Sequence, residues 1–252
     1  IFIILYIVGV KCSTDSSACS NLPMANTANW HSRIGSSLQI FGHNALKPWQ
    51  NGVLEAWRDG KDCLCLSGTG SGKSLCFQLP AILDEFQRPV IVISPLISLM
   101  RDQCSQLTQI GVAACFLGSA QSDKSVLGQA LAGECRIIYI CPETAVTMKN
   151  QLVELNQRIG IALFAVDEAH CVSKWGHDFR PKYRELKGLF DFVCAGGEHV
   201  PIMALTATAT GRVRRDILHS LGMGVEREVH SVINTFHRPN LVFSVHHRSL
   251  SL

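Results

Sequence analysis

Short apolar runs alternate with longer amphipathic stretches along most of the chain. Apolar runs of this length, closed by polar or turn-forming residues, are typical of strands buried on both faces of a sheet. The stretches between them have helical spacing, as at Val53, Leu54 and Trp57, and a helix is predicted from Ser94 to about Ile110. The pattern predicts an α/β fold with a doubly wound, mainly parallel sheet and helices on both faces. The predicted strands are residues 63–66, 90–93, 113–117, 136–141, 161–166, 201–205 and 241–245.

The first 37 residues do not share this alternation. Residues 1–10 are mostly apolar, but they are fewer than the roughly 20 that span a bilayer, and no basic segment precedes them as in a signal peptide. We interpret them as an artefact of a fragment boundary or gene model, with a buried or loosely packed extension or a clipped membrane anchor as alternatives. Residues 11–37 are rich in Ser, Asn, Thr and Ala, which predicts a disordered linker. The predicted domain therefore covers residues 38–237.

Residues 62–80 contain a candidate phosphate-binding motif, and the other candidate catalytic residues are interpreted in relation to it. The first predicted strand is followed by a loop with three glycines and then by Lys73-Ser74, which open a helical pattern. Strand, glycine loop and helix is the order of a P-loop, in which backbone N–H groups and the helix start bind phosphate. Lys73 can then reach the β/γ-phosphates, and the Ser74 hydroxyl can ligate Mg²⁺. The predicted nucleotide ligands of the loop are Thr69, Gly70, Ser71, Gly72, Lys73 and Ser74.

Ser67 stands where the strict P-loop pattern has its first glycine. A small residue here, before the same Gly-Lys-Ser ending, resembles the form found in superfamily 2 helicases. The alternative is a Gly/Ser-rich surface turn, against which the preceding apolar run and the Lys-Ser pair argue.

Composition and charge exclude several classes of protein. At 252 residues and 47% hydrophobic content the chain can build a sizeable core, and its net charge of +3 permits an anionic partner without requiring one. The eleven cysteines are an odd number and are spread through apolar runs, with only Cys63 and Cys65 as a close pair. This distribution favours free thiols packed in the core and argues against a disulfide scaffold or a zinc site in this chain.

Asp167 and Glu168 follow the apolar run 161–166 directly. An acidic pair after a strand is commonplace, but opposite a P-loop one carboxylate can hold Mg²⁺ while its neighbour orients and deprotonates the attacking water. His170 can hydrogen-bond toward a following strand. We therefore predict Lys73, Asp167, Glu168 and His170 as catalytic residues, and Ser74 and Asp167 as ligands of Mg²⁺.

Four blocks of this chain resemble motifs I, Ia, II and III of the RecQ family of superfamily 2 DNA helicases. They are residues 68–74, 93–100, 167–170 and 205–209, in the family's order, and the resemblance extends over about residues 38–241. It implies a RecA-like P-loop domain that uses ATP and Mg²⁺. The amino-acid sequences of residues 66–78 and 171–181 resemble those of the plant RecQ-SIM subtype.

Residues 169–181 are the most specific part of this resemblance. In RecQ proteins the corresponding segment is the aromatic-rich loop, which senses single-stranded DNA and couples it to hydrolysis. The alternative for its Trp and Phe is anchoring in the core. The resemblance implies DNA-binding or coupling roles for Trp175, His177, Phe179, Arg180, Thr206 and Thr208.

Residues 46–50 resemble the RecQ motif 0, whose glutamine contacts the adenine edge, so the resemblance implies nucleotide-binding roles for Lys47 and Gln50. Lys47 stands where the family usually has Arg, and Lys174 stands where Gln is common. A lysine lacks the planar fork of arginine, which predicts weaker or differently held adenine. Candidate phosphate contacts along a DNA path are Arg101, Lys182, Arg184, Lys187, Arg212, Arg214 and Arg215.

The resemblance implies a 3′→5′ DNA helicase that acts on single-stranded and duplex DNA in repair and recombination. It implies a nuclear location in a eukaryote, or a cytoplasmic one at the nucleoid otherwise, and no membrane partner. Such helicases need a second RecA-like domain, which supplies arginine fingers worth about 10³ to 10⁵ in rate. Residues 238–241 resemble the RecQ sequence near the join to that domain, which implies that residues 238–252 begin the connection to it. We expect the second domain to be missing from this chain, and the chain alone therefore to hydrolyse ATP very slowly and not to unwind DNA. The alternatives are a truncated, non-catalytic ATP or nucleic-acid binding module, a DEAH-type RNA helicase domain and, least favoured, a P-loop metabolic kinase.

Overall fold

A computed structural model describes residues 25–119, 121–123, 125–195, 197, 199–225, 227–234 and 244. The apolar residues 1–10 and nearly all of the predicted strand 241–245 lie outside this range. The helices are α1 (Ala25–Ile40), α2 (Pro48–Arg58), α3 (Lys73–Gln78), α4 (Pro80–Leu83), α5 (Ile97–Gln109), α6 (Ser125–Ala132), α7 (Pro142–Thr147), α8 (Lys149–Arg158), α9 (Leu186–Val193) and α10 (Gly211–Leu221). The strands are β1 (Asp62–Leu66), β2 (Val90–Ile93), β3 (Ala114–Leu117), β4 (Ile137–Ile140), β5 (Leu163–Val166), β6 (Ile202–Thr206) and β7 (Val229–Ile233), and 3₁₀ turns cover Ala169–Val172 and Pro181–Glu185.

The described strands form a seven-stranded sheet in the order β3-β4-β2-β5-β6-β1-β7, and every pairing is parallel. The predicted α/β class and parallel sheet are therefore confirmed, together with six of the predicted strands. β7 was not predicted. It is an edge strand with two exposed and three half-buried residues, so it lacks the continuous apolar run that marks the buried strands.

The two faces of the sheet carry separate cores, which confirms helices on both faces. Alternate residues of one strand point to opposite sides. In β1, Leu64 and Leu66 face the core built with α6 to α10, whereas Cys63 and Cys65 face the core built with α1 to α5. Because all strands run the same way, the residues that follow β1, β2, β5 and β6 meet at one edge of the sheet.

The predicted disordered linker is wrong for residues 25–37, which belong to α1. Trp30, Ile34 and Leu38 recur every four residues along this helix and are buried in the core shared with α2. The Trp30 ring centroid lies 6.4 Å from that of Trp57. The polar composition of the segment masked a narrow apolar stripe, and the folded domain begins no later than residue 25.

The cysteines pack as predicted. In the described part of the chain the nine cysteines are free, and all but the half-buried Cys194 are buried. Burial raises the pKa of Cys63 and of Cys171 to about 12, so both remain protonated thiols at neutral pH. No group of three or more His, Cys, Asp or Glu side chains within the described residues is arranged to hold a metal ion. None of the described helices is long and apolar enough to cross a membrane.

Candidate nucleotide site and aromatic loop

The glycine loop joins β1 to α3 at the carboxyl edge of the sheet. Gly70 and Gly72 have φ angles of +77° and +93°, a region that glycine enters without a steric penalty. A Cβ atom at Gly72 would also lie 2.8 Å from Nε2 of Gln50. Gly72 is therefore favoured by its backbone conformation, and a Cβ there would also displace the Gln50 amide.

Lys47 and Gln50, at the start of α2, contact the glycine loop directly. Gln50 Nε2 donates to the carbonyl of Gly72 (2.9 Å), and Gln50 Oε1 accepts from the backbone N–H of Lys47 (2.8 Å). Lys47 Nζ donates to the carbonyl of Ser71 (2.6 Å). Both ends of the buried Gln50 amide are thus occupied by backbone groups, and these two side chains act as a clamp on the loop.

Lys73 connects the loop to the acidic pair. Its Nζ donates to the carbonyls of Ser67 (2.8 Å) and Gly68 (3.2 Å). Burial lowers the pKa of Lys73, and the charges of Glu168 and Asp167 act in the opposite direction. The predicted phosphate-binding lysine and the predicted catalytic carboxylates therefore lie close enough to influence one another.

Asp167 and Glu168 follow β5 and differ in their environments. Burial, with a smaller contribution from Glu168, raises the pKa of Asp167 to about 6. The hydrogen bond with His170 lowers the pKa of Glu168 despite its partial burial. Glu168 also has a φ of +46°, which is unusual for a residue with a Cβ and is typical of strained positions at functional sites.

His170 links the acidic pair to the end of β6. Its Nδ1 lies 3.2 Å from Glu168 Oε2 and 2.9 Å from Thr206 Oγ1, so the predicted reach toward a following strand is confirmed. Thr206 Oγ1 also lies within hydrogen-bond distance of the carbonyl of Thr208 (3.2 Å), so its hydroxyl joins His170 to the segment after β6. The His177 ring stacks on the His170 ring with centroids 4.1 Å apart.

Trp175 is on the surface of the aromatic loop, which contradicts the alternative that it anchors the core. Its side chain is 62% exposed, and the guanidinium of Arg212 lies 3.8 Å from its ring centroid. Phe179 is half-buried, and the Arg184 guanidinium lies 5.8 Å from its ring. The two aromatic residues therefore differ, because Trp175 is mostly exposed to solvent and Phe179 is not.

Arg180 ties the aromatic loop to the segment after β2. Its Nη1 donates to the carbonyl of Pro95 (2.9 Å), and its Nε lies 3.3 Å from Asp178 Oδ2. Tyr183 was not predicted as part of the site, but it is buried and its hydroxyl donates to the carbonyl of Asp167 (3.1 Å). Asn234, which donates to Ser67 Oγ (3.2 Å), was missed because it follows the unpredicted strand β7.

Several of the candidate phosphate contacts have partners within the chain. Lys182 pairs with Glu185 at 2.8 Å, Arg184 with Asp216 at 3.1 Å and Lys187 with Asp191 at 3.9 Å. Arg101 lies over the Phe116 ring and Arg212 over that of Trp175.

Two cavities of about 310 and 500 Å³ lie at the opposite, amino edge of the sheet, beside Ile161, Asp62 and Ile202, and take no part in this site.

The DEAD/DEAH box helicase family profile matches residues 47–217, which is most of the described domain. The chain belongs to the DEAD/DEAH box helicase family. Curated relatives confirm the RecQ resemblance. The ATP-dependent DNA helicase Q-like SIM of Arabidopsis thaliana is 52% identical over 88% of this chain and 26% of its own length. The ATP-dependent DNA helicase RecQ of Haemophilus influenzae is 40% identical over 82% of this chain and 32% of its own length.

Solved structures support the fold. The DUF1998 helicase MrfA superposes with a TM-score of 0.65 at 18% identity, covering 81% of this chain and 32% of that one. The DEAD-box helicase Mss116 superposes with a TM-score of 0.61 at 12% identity, covering 80% of this chain and 42% of that one. The helicase-type RecA-like fold is therefore shared. The chain spans about a quarter to a third of the length of the two curated relatives described above.

Proposed function

We propose that this chain is the ATP-binding motor domain of a RecQ-like 3′→5′ DNA helicase. In the complete protein it would couple ATP hydrolysis to movement along single-stranded DNA and to duplex unwinding. The observation that carries the proposal is the convergence of Lys73, Asp167 and Glu168 at one edge of the sheet, where their charges act on one another.

The loop fits a nucleotide triphosphate. The Ser71 hydroxyl is buried and has no hydrogen-bond partner within the described residues, so it is available to a phosphate oxygen. Lys73 would exchange the carbonyls of Ser67 and Gly68 for the β/γ-phosphates. The loop backbone from Thr69 to Gly72 and the start of α3 would hold the remaining phosphate oxygens.

Ser74 and Asp167 supply oxygen donors of the kind that Mg²⁺ prefers, and most of its other ligands are usually water and phosphate oxygens. Bound there, Mg²⁺ would neutralise phosphate charge. Glu168 is the proposed base for the attacking water, because its carboxylate is ionised at neutral pH and is held by the hydrogen bond with His170, which lowers its pKa. His170 and Thr206 would hold that carboxylate in place.

The aromatic loop is the proposed sensor of single-stranded DNA. Trp175 offers an exposed ring for base stacking, and the stacked pair His177 and His170 leads from the loop to Glu168. A nucleobase stacked on Trp175 would in this way affect the position of the Glu168 carboxylate. Arg180 donates to the carbonyl of Pro95, so it would transmit a shift of the aromatic loop to the segment after β2.

The proposed partners are single-stranded and duplex DNA and a second RecA-like domain. The proposed setting is DNA repair or recombination, in the nucleus if the organism is a eukaryote. The Arabidopsis relative named as a Q-like DNA helicase supports this choice over an RNA helicase. The non-catalytic alternative, an ATP or nucleic-acid binding module, would share the fold and the ATP site but not the turnover.

Equilibrium binding of a fluorescent ATP analogue with Mg²⁺ tests the ATP site in this chain. We expect Lys73→Ala to weaken binding by at least about tenfold, since it removes a charge-assisted contact to phosphate. Arg215→Ala, an exposed change of the same charge, is the control and should bind normally. Equal binding by Lys73→Ala and wild type would refute the site.

Turnover tests the motor function in a longer polypeptide that includes the second domain. Single-stranded DNA should stimulate its ATP hydrolysis more than RNA does. Glu168→Gln should retain nucleotide binding and lose hydrolysis, whereas Trp175→Ala should retain basal hydrolysis and lose the stimulation. Stimulation by RNA alone would instead favour an RNA helicase, and a lack of turnover would favour the non-catalytic module.

A further inference from the structure

Trp175 has one ring face covered and the other open. The Arg212 guanidinium lies 3.8 Å from the indole centroid, while the other cation–ring contacts of the described residues range from 4.9 to 5.8 Å. The side chain is nevertheless 62% exposed. Because the guanidinium covers one face, this exposure belongs mainly to the other face and the ring edge.

The backbone beneath this ring is fixed by separate contacts. The N–H of Trp175 donates to Ser173 Oγ (3.2 Å), and Ser173 itself is fully buried. The Ser173 hydroxyl in turn hydrogen-bonds with Asp216 on α10, which also accepts from Arg184 Nη2 (3.1 Å). Arg212 and Asp216 are four residues apart on α10, so they lie on the same face of that helix and both contact the aromatic loop.

We propose that Arg212 is a positioning residue for Trp175, which holds the indole so that its open face receives a base of single-stranded nucleic acid. A planar guanidinium suits this task because it stacks on an aromatic ring and leaves the opposite face free. The base, the indole and the guanidinium would then form a three-layer stack. The inference rests on the proposed function, and it gives Arg212 a role other than the phosphate contact expected from its charge.

Acrylamide quenching of tryptophan fluorescence tests the contact itself in this 252-residue chain. The difference between wild type and Trp175→Phe isolates the signal of Trp175. We expect Arg212→Ala to raise the quenching constant of Trp175 by up to about twofold, since a second ring face is uncovered. Arg215→Ala removes the same charge from the same helix and should leave the constant unchanged. An unchanged constant in Arg212→Ala refutes the proposal.

Binding of labelled oligodeoxythymidylate tests the consequence. Arg212→Ala should weaken binding about two- to fivefold more than Arg215→Ala, the change expected from losing an exposed cation–π contact. Arg212→Lys should lie between Arg212→Ala and wild type, because it keeps the charge and loses the planar group. In a chain that already carries Trp175→Ala, adding Arg212→Ala should reduce the affinity for the oligonucleotide no more than adding Arg215→Ala does.

Equal losses in Arg212→Ala and Arg215→Ala would show that Arg212 acts only as a charge, which refutes the proposal while the proposed DNA helicase function stands. Fully additive effects of the Trp175 and Arg212 substitutions would refute it in the same way. If the wild-type chain binds no oligonucleotide at the lowest salt concentration, both the DNA-binding part of the proposed function and this role fail. The quenching result then reports separately whether the contact exists.

Discussion

Gly176→Ala should disrupt the aromatic loop, because the glycine is surrounded by backbone atoms. An added Cβ would lie 2.5 Å from the carbonyl oxygen of His170 and 3.2 Å from that of Ser173. Neither atom can rotate away as a side chain would. The Gly176 N–H also donates to the Ser173 carbonyl (3.0 Å), so the residue cannot shift without losing that bond.

The expected loss of stability is that of an overpacked site, about 1 to 3 kcal/mol. For a chain of this size each kcal/mol shifts the melting temperature by about 2 to 4 °C. Because the clash falls on the His170 backbone, the variant should also lose part of the contact between His170 and Glu168. In the two-domain protein we therefore expect DNA-stimulated hydrolysis to fall more than nucleotide binding does.

Gly188→Ala is the matched control. Gly188 lies in α9, and a Cβ there would meet no atom within 4 Å. Alanine is favoured over glycine inside a helix by about 0.5 to 1 kcal/mol, so this variant should be slightly stabilised. Urea unfolding and thermal scans of both variants in one buffer measure the difference. A Gly176→Ala variant as stable as wild type would refute the reasoning.

Two further substitutions probe the nucleotide site. Asp167→Asn should stabilise the chain in the absence of Mg²⁺. Burial raises the pKa of Asp167 to about 6, so the wild type loses stability as the pH rises from about 4 to 6 and the variant does not. The expected gain is about 1 to 3 kcal/mol at pH 7.5 and close to zero below pH 4 in urea titrations, and a pH-independent difference would contradict it. Gln50→Ala should weaken binding of the ATP analogue several-fold, because the Gly72 carbonyl loses its donor. Unchanged affinity would mean that the clamp on the loop is dispensable.

The buried strands and the residues at their carboxyl ends were predictable from the sequence. β1, β2, β5 and β6 are apolar on both faces, so their positions follow from hydrophobicity alone. Parallel pairing then brings Lys73 and Asp167 to one edge without further information. Hydrophobicity did not predict the polar segment of α1 or the exposed strand β7, because each buries only a few side chains.

Contacts made through the backbone or between distant surface residues were not predictable in this way. The charge of Arg212 indicated a phosphate contact, but its position opposite Trp175 depends on how α10 packs against the aromatic loop. The clamp of Lys47 and Gln50 on the carbonyls of Ser71 and Gly72 depends on loop conformation. The residues of a motif show neither how α10 packs against the aromatic loop nor which conformation the glycine loop adopts.

The position of His170 offers a physical basis for the proposed response of nucleotide chemistry to the aromatic loop. One imidazole contacts Glu168 and Thr206 through Nδ1 and stacks on His177 through its face. A displacement of His177 by a bound base would therefore change the orientation of the ring that holds Glu168. Glu168 also has an unfavourable φ of +46°, and its carboxylate contacts His170 Nδ1 at 3.2 Å. The proposed coupling through His170 would need no large movement of the sheet, because the ring, the carboxylate and the loop are in direct contact.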